Sequence, residues 1–133
     1  MNGLHLIADL HDCRCPAPLL LDAPGLERWC ASACQRHGLQ VVGRCFHQFV
    51  DASGRSAGVT GTVVLAESHL AIHTWPEIGG VTLDIYVCNF SADNSLAAEA
   101  LFAECLTRFA PGTLEKQAVQ RGQLGRAARS SPN

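Results

Sequence analysis

The chain has 133 residues, of which 47% are hydrophobic and 17% are charged, with a formal net charge of −2 at pH 7. This composition is typical of one ordered globular domain, and the lack of a basic stripe argues against nucleic-acid binding. No apolar run approaches the roughly 18 to 20 residues of a membrane span, and no signal peptide is evident. We therefore expect a cytoplasmic protein that binds neither nucleic acid nor membrane.

The N-terminal segment predicts a strand, a loop and a helix, in that order. Apolar residues alternate with others over 3–10, the period of a strand with one buried face. Two prolines in 13–21 predict a loop. Asp22 is a candidate N-cap with Pro24 in the first turn, and Gly38 is the candidate residue that ends the helix. The apolar stripe of this helix would consist of Leu26, Trp29, Cys30, Ala33, Cys34 and His37.

The middle of the chain predicts more strands, separated by short connections. Four segments have the pattern of strands: 39–49, 59–67, 69–75 and 81–88. A Ser-, Gly- and Ala-rich loop is predicted at 51–58 and a turn at 76–80.

The C-terminal third predicts a helix over 96–109, which Asn94 or Ser95 would cap, and an edge strand over 113–121. Its expected buried stripe is Leu96, Ala100, Leu101, Cys105, Leu106 and Phe109. We expect one domain over 1–122 and a flexible tail over 123–133. Antiparallel strands with two helices predict an α+β fold, a two-layer sandwich with both helices on one sheet face. The other face would need a partner, so we expect a dimer or a larger assembly.

The seven cysteines are odd in number and follow no disulfide pattern, so reduced thiols are expected. Cys30 and Cys34 lie one helical turn apart and are expected to pack as small apolar residues. No cysteine or histidine set completes a tetrahedral zinc site, and we expect no metal.

A segment at 65–77 concentrates reactive side chains between two apolar strands. Glu67, Ser68, His69 and His73 fall within seven residues, and each can take part in proton or acyl chemistry. A polar hairpin with one hydrogen-bonded histidine would explain the same composition, so composition alone leaves both interpretations open.

The order of these residues goes further. The run 67–77, Glu-Ser-His-Leu-Ala-Ile-His-Thr-Trp-Pro-Glu, resembles the self-processing segment of the prokaryotic S-adenosylmethionine decarboxylases, which are pyruvoyl enzymes. The resemblance extends from Gly3 to about Gly122 and includes Gly3-Leu4-His5, Phe46-His47-Gln48-Phe49 and Asp84-Ile85-Tyr86-Val87-Cys88.

The resemblance implies that the chain makes its own cofactor. The Ser68 hydroxyl would attack the carbonyl of Glu67, and the chain would break into a β chain, 1–67, and an α chain that starts with a pyruvoyl group derived from Ser68. The substrate amine would form a Schiff base with this group, and no metal or pyridoxal phosphate would be needed. The only lysine, Lys116, lies far from the motif. The implied product is the aminopropyl donor of spermidine synthesis.

The resemblance also assigns site residues. It gives Glu67 to the cleavage site, His73 to processing, and Cys88 to the return of a proton after carbon dioxide leaves. Thr60 stands where the family has a serine that assists processing. The implied substrate contacts are Phe49, Glu77 and Leu70, in sites at a homodimer interface.

Departures from the family pattern keep alternatives open. Tyr86-Val87 precedes Cys88 where the family usually has Phe-Thr, and Asn89 follows it where the family has glycine. The loop 51–58 is longer, and 91–94 differs from the usual stretch. An arginine or ornithine decarboxylase, with Asn89, Asp51 or Asp93 binding a basic substrate, is the alternative within the family. A hydrolase that uses Cys88 and His73 and a binding subunit without activity are the alternatives from other classes.

Overall fold

A computed structural model describes residues 2–125 and has a six-stranded antiparallel sheet with helices packed against one face. The strand order is β2-β3-β4-β5-β1-β6. The strands are β1 (Gly3–Cys13), β2 (Val41–Val50), β3 (Ser56–Leu65), β4 (Ser68–Trp75), β5 (Gly80–Cys88) and β6 (Pro111–Arg121). The helices are α1 (Pro18–Leu21), α2 (Ala23–Arg36) and α3 (Ser95–Phe109), with a 3-10 turn at Pro76–Ile78. The predicted two-layer α+β fold is confirmed.

One face of the sheet forms the core because its strands alternate as the sequence indicates. Leu70 on β4 pairs with Ile85 on β5, and Ile72 pairs with Leu83; all four side chains are buried. Burial of each such side chain stabilises the fold by about 1.5 to 3 kcal/mol. The opposite face, which we call the open face, presents the intervening residues, His5, Thr60, His69, His73, Asp84 and Tyr86 among them.

The helices cover the core face, with two corrections to the predicted pattern. Helix α2 ends as expected, since Gly38 follows it with φ +77°. The stripe predicted for α3 is wrong at its start because Leu96 and Ala100 are exposed. The buried side of α3 is instead formed by Ala98, Leu101, Phe102, Cys105 and Phe109. The segment 13–21, predicted as a loop, contains the short helix α1.

Helix α1 is fastened to the end of β4 by a buried hydroxyl. Thr74 Oγ1 donates to the carbonyl of Leu20 at 2.8 Å and accepts from the backbone N–H of Val59 at 2.9 Å. These bonds tie β3, β4 and α1 together and fix the end of β4 that carries His73.

Strand boundaries differ from the predicted ones by a few residues. Strand β3 starts at Ser56, so the loop before it is shorter than the predicted 51–58. Strand β3 ends at Leu65 rather than at Glu67. The predicted edge strand is β6. Residues 123–125 of the predicted tail belong to no strand or helix, and 126–133 lie outside the described residues.

All seven cysteines lie in the described residues, and none of them forms a disulfide. Cys30, Cys34 and Cys105 are buried between α2, α3 and the sheet, as predicted for the first two. Burial raises the pKa of Cys34 to about 12, so its thiol stays protonated and packs as an apolar group. Within residues 2–125, none of the helices combines the length and the apolarity that a membrane span requires.

Candidate active site

The predicted reactive segment turns at a strained position. Leu65 on β3 pairs with Ser68 on β4, which leaves Ala66 and Glu67 as a two-residue turn. Glu67 has φ +65°, in the left-handed region, where a residue with a side chain is about 1 to 2 kcal/mol less stable than in the right-handed one. Two-residue hairpins favour turns whose first residue has positive φ, and here only the second has it. The backbone is therefore strained beside the Glu67–Ser68 peptide.

The groups around this turn, which we call the turn end, are Glu67, Ser68, Tyr86, Cys88, Phe90 and Ser91. Ser68 is only 9% exposed, and its Oγ accepts a hydrogen bond from the backbone N–H of Cys88 at 3.3 Å. Ser91 Oγ donates to Glu67 Oε1 at 2.6 Å. A cavity of about 340 Å³ opens here, lined by Glu67, Tyr86, Cys88 and Phe90. The strained peptide and a buried thiol thus share one cavity.

The segment after Cys88 is held by amide hydrogen bonds. Asn89 Nδ2 donates to Asn2 and to Ser95 Oγ, and its Oδ1 accepts from the N–H of Asn94. Asn94 Nδ2 in turn donates to the carbonyl of Cys88 at 3.2 Å. Asn89 is thereby occupied as a structural link between β5 and α3, a role that the sequence pattern did not reveal.

The opposite end of β4 carries a second group of predicted residues, which we call the far end. Thr60 Oγ1 lies 3.1 Å from His73 Nδ1, because β3 and β4 pair these two residues directly. A cavity of about 290 Å³ is lined by Phe49, Thr60, His73 and Trp75, together with Ala57 and Thr74. Phe49 is 48% exposed, so its ring is open to a ligand.

The two ends lie apart within one chain. His73 follows Ser68 by five residues on a single strand, so about 17 Å separates them at roughly 3.4 Å per residue. Their side chains also start from opposite faces, since Ser68 shares the alternation of the buried Leu70. A groove of about 380 Å³ on the helix side contains none of the predicted site residues.

A polar network lies between the two ends on the open face. Asp84 Oδ1 is 3.1 Å from His5 Nε2 and 2.9 Å from His69 Nε2. Among residues 2–125, these three side chains are the only set close enough to hold a metal ion. Arg121 Nη1, however, lies 3.1 Å from His5 Nδ1, and a guanidinium only donates. His5 therefore accepts a hydrogen bond at Nδ1 and carries its proton at Nε2, which is directed at Asp84. Nε2 is the atom that would have to bind a metal.

The remaining predicted residues lie outside the two ends or face away from them. Glu77 is exposed in the turn after β4. Leu70 is fully buried, and its side chain lines neither cavity. Asp51 Oδ1 accepts three bonds within its own loop, from the N–H and Oγ of Ser53 and from the N–H of Arg55, and the bond from the Ser53 hydroxyl is the main cause that lowers the pKa of Asp51. Asp93 Oδ1 accepts from the N–H of Ser95.

The sequence analysis missed three residues at the turn end: Tyr86, Phe90 and Ser91. Tyr86 could have been found, because the period of a strand places it on the same face as Cys88. Phe90 and Ser91 follow the strand, and no periodicity indicates where they lie.

Comparison with known proteins gives one consistent result. The family model described as S-adenosylmethionine decarboxylase matches residues 4–122. An S-adenosylmethionine decarboxylase proenzyme of Bacillus cytotoxicus is 39% identical over 97 residues, which are 73% of this chain and 69% of that protein. One from Syntrophomonas wolfei is 35% identical over 92% of this chain and 88% of its own length. The crystal structure of the adenosylmethionine decarboxylase from Aquifex aeolicus superposes with a TM-score of 0.77 at 30% identity, covering 98% of this chain and 96% of that one.

Proposed function

The chain belongs to the S-adenosylmethionine decarboxylase family, and we propose that it is a self-processing, pyruvoyl-dependent decarboxylase of S-adenosylmethionine. The resemblance noted in the sequence is thereby confirmed at the level of the family. The observation that carries the proposal is the strained Glu67–Ser68 peptide, closed by a two-residue turn beside the buried Cys88.

Self-cleavage follows from the chemistry of the turn. Ser68 Oγ attacks the carbonyl carbon of Glu67, the C–N bond breaks, and an ester replaces the amide. Loss of the Ser68 α-proton then expels the Glu67 carboxylate, and hydrolysis of the remaining enamine releases ammonia and leaves the pyruvoyl group. The left-handed Glu67 favours the first step, since rearrangement relieves the strained backbone.

The proposed groups around the peptide fit this role. The N–H of Cys88 orients the Ser68 hydroxyl, and Ser91 holds the Glu67 side chain. Once formed, the pyruvoyl carbonyl supplies the electron sink for decarboxylation. Cys88, which lines the same cavity, then returns a proton to the substrate carbon.

A homodimer completes the site. His73 and Thr60 are proposed to assist processing, yet they lie about 17 Å from Ser68 in the same chain. A two-fold axis that runs between the two sheets, at right angles to β4 and level with Ala71, would pack the two open faces together with their β4 strands antiparallel. The turn end of one protomer would then face the far end of its partner, at the usual spacing of about 10 Å between stacked sheets.

Exposed apolar side chains on the open face support this arrangement. Phe49, Val64, Trp75 and Val119 are each 39% to 48% exposed there. Packing of the two open faces against each other would remove these apolar side chains from water, which would favour the dimer. The seven cysteines form no disulfide among the described residues, which fits a reducing compartment, and we propose a cytoplasmic location.

The residues around the site favour S-adenosylmethionine over arginine or ornithine. The exposed ring of Phe49 suits both an adenine ring and a sulfonium cation, and the exposed Glu77 can accept from two ribose hydroxyls. A basic amino acid would need a carboxylate or amide, but Asp51, Asp93 and Asn89 already accept backbone hydrogen bonds.

Intact-mass analysis and a decarboxylation assay test the proposal together. The wild-type protein should give two chains, 1–67 and 68–133, with a blocked N-terminus on the second. The Ser68→Ala variant should remain one chain and release no carbon dioxide from S-adenosylmethionine. Decarboxylation by a protein that stays at full mass would contradict the pyruvoyl mechanism, and release from arginine or ornithine alone would contradict the substrate.

A further inference from the structure

We propose that Tyr86 is a positioning residue for Cys88, and that its phenol hydroxyl donates a hydrogen bond to the Cys88 sulfur. The inference rests on the proposed function, because it concerns the thiol that would protonate the substrate. It goes beyond that function by assigning a role to a hydroxyl that no step of self-cleavage requires.

The strand places the two side chains together. Tyr86 precedes Cys88 by two residues on β5, so both leave the same face of the sheet. Both line the cavity at the turn end, with Glu67 and Phe90 as the other lining residues. A side-chain hydrogen bond with Cys88 is among the causes that raise the pKa of Tyr86.

Two glycines leave the space in which the phenol lies. Gly3 pairs with Cys88 across β1 and β5. A Cβ at Gly3 would come within 2.9 Å of Tyr86 Cε1 and 3.0 Å of its hydroxyl oxygen. A Cβ at Gly122 would also meet that oxygen, and the φ of +72° at Gly122 further favours glycine. The absence of side chains at both positions lets the ring lie along β5 toward Cys88.

Charged and titratable groups fix the ring from its other sides. The Arg121 guanidinium on β6 lies 4.7 Å from the ring centroid, and His5 on β1 and His69 on β4 contact the ring at 5.7 and 5.8 Å. Burial, and then the neighbouring Cys88 thiol, raise the pKa of Tyr86, while Arg121 acts in the opposite direction. The hydroxyl therefore keeps its proton around neutral pH and remains a donor.

This hydrogen bond has a defined use in turnover. When Cys88 gives its proton to the substrate carbon, the sulfur becomes negative. A phenol O–H directed at the sulfur stabilises that charge and holds the thiol at the open-face cavity, so the proton reaches the substrate carbon rather than the pyruvoyl carbon. The thiolate takes a proton back from water when the product leaves, and Tyr86 keeps its own.

The Tyr86→Phe variant tests the role in turnover, because it keeps the ring and removes only the hydroxyl. We expect complete self-cleavage, with kcat and the number of turnovers before inactivation each reduced at least about tenfold, the effect of one hydrogen bond to an ionised group. Inactivation is read by mass, as conversion of the pyruvoyl N-terminus to alanine. Thr62→Val, which removes a hydroxyl from the same face two strands away, is the matched control and should behave as wild type.

A second readout does not depend on activity, since Tyr86 is the only tyrosine of the chain. Its ionisation can be followed by ultraviolet difference absorbance, while tryptophan fluorescence checks that the protein stays folded. Removing the thiol in Cys88→Ala should lower the pKa of Tyr86, and Arg121→Gln should raise it.

The outcomes separate the two proposals. An uncleaved, inactive wild type would overturn the proposed function. The titration of Tyr86 would then be the one remaining test of its hydrogen bond to Cys88. An active enzyme whose Tyr86→Phe variant keeps wild-type turnover and inactivation would overturn the positioning role. An unchanged pKa of Tyr86 in Cys88→Ala would overturn the hydrogen bond itself.

Discussion

The two ends of β4 differ in how much of a site each one contains. The turn end has a strained backbone at Glu67, and Ser68 and Cys88 are both buried. The far end is more open, with the exposed Phe49 beside the hydrogen-bonded pair of Thr60 and His73. In the proposed function, the turn end would supply the atoms that react, and the far end would supply groups that move protons and bind rings.

In the proposed function, neither end would be sufficient alone. The serine and the strained carbonyl at the turn end lack the histidine that the family pattern assigns to processing, because His73 lies about 17 Å away. The far end has that histidine but no scissile peptide. In the proposed dimer, a second protomer would bring the two ends together and would cover the exposed apolar side chains of the open face.

The largest expected effect is the loss of self-cleavage rate in the His73→Ala variant, which changes only the far end. Removing a general acid or base typically reduces a rate by about 10²- to 10⁴-fold, so self-cleavage should slow by that factor although the turn end is unchanged. A time course of intact masses after refolding measures it. Thr60→Val, which keeps the imidazole but removes its partner at 3.1 Å, should slow cleavage less. Cleavage of His73→Ala at the wild-type rate would exclude the far end from processing.

A smaller effect is expected on substrate binding, through Phe49 at the far end and Glu77 in the turn after β4. Phe49→Ala and Glu77→Gln should raise KM for S-adenosylmethionine by about tenfold to a hundredfold, since a stacked ring or a buried hydrogen bond contributes roughly 1 to 3 kcal/mol. Asp51→Asn and Asp93→Asn are the controls, and KM should change little in both. The reverse pattern would favour a basic amino acid as the substrate.

The smallest effect concerns the strain at the turn end. In an uncleavable background with Ser68→Ala and with Ser91→Ala, which removes the hydrogen bond to Glu67 beforehand, Glu67→Gly should increase the free energy of unfolding by about 0.5 to 1 kcal/mol, because glycine adopts positive φ without strain. Ala66→Gly is the matched control, since Ala66 lacks positive φ and the same change should destabilise there. Urea unfolding of the two variants measures both. If Glu67→Gly instead destabilises the protein, backbone strain at Glu67 does not promote self-cleavage.

Much of the fold could be predicted because its strands alternate clearly. Val81, Leu83, Ile85 and Val87 show a period of two, and all are buried. The start of α3 could not be predicted in the same way. Leu96 lies within the predicted helix but is 84% exposed, because packing against β1 and β5, rather than hydrophobicity, determines which side of the helix is buried.

The sequence indicated candidate residues for the site, but it did not indicate their geometry. The resemblance assigns both Ser68 and His73 to self-processing, but an extended strand separates them within one chain and places their side chains on opposite faces. The network of His5, His69 and Asp84 joins three strands and has no local signal in the sequence. Pairing in the sheet, which depends on residues far apart in the chain, decides such positions.

The central claim is that each site combines the turn end of one protomer with the far end of its partner. Co-expression of the Ser68→Ala and His73→Ala chains tests it most directly, with a different affinity tag on each chain. The mixed dimer should cleave the His73→Ala chain, because the turn end of that chain would face the intact His73 of the other chain, while each variant expressed alone should remain essentially uncleaved. Co-purified mixed dimers in which both chains stay intact would contradict a shared site.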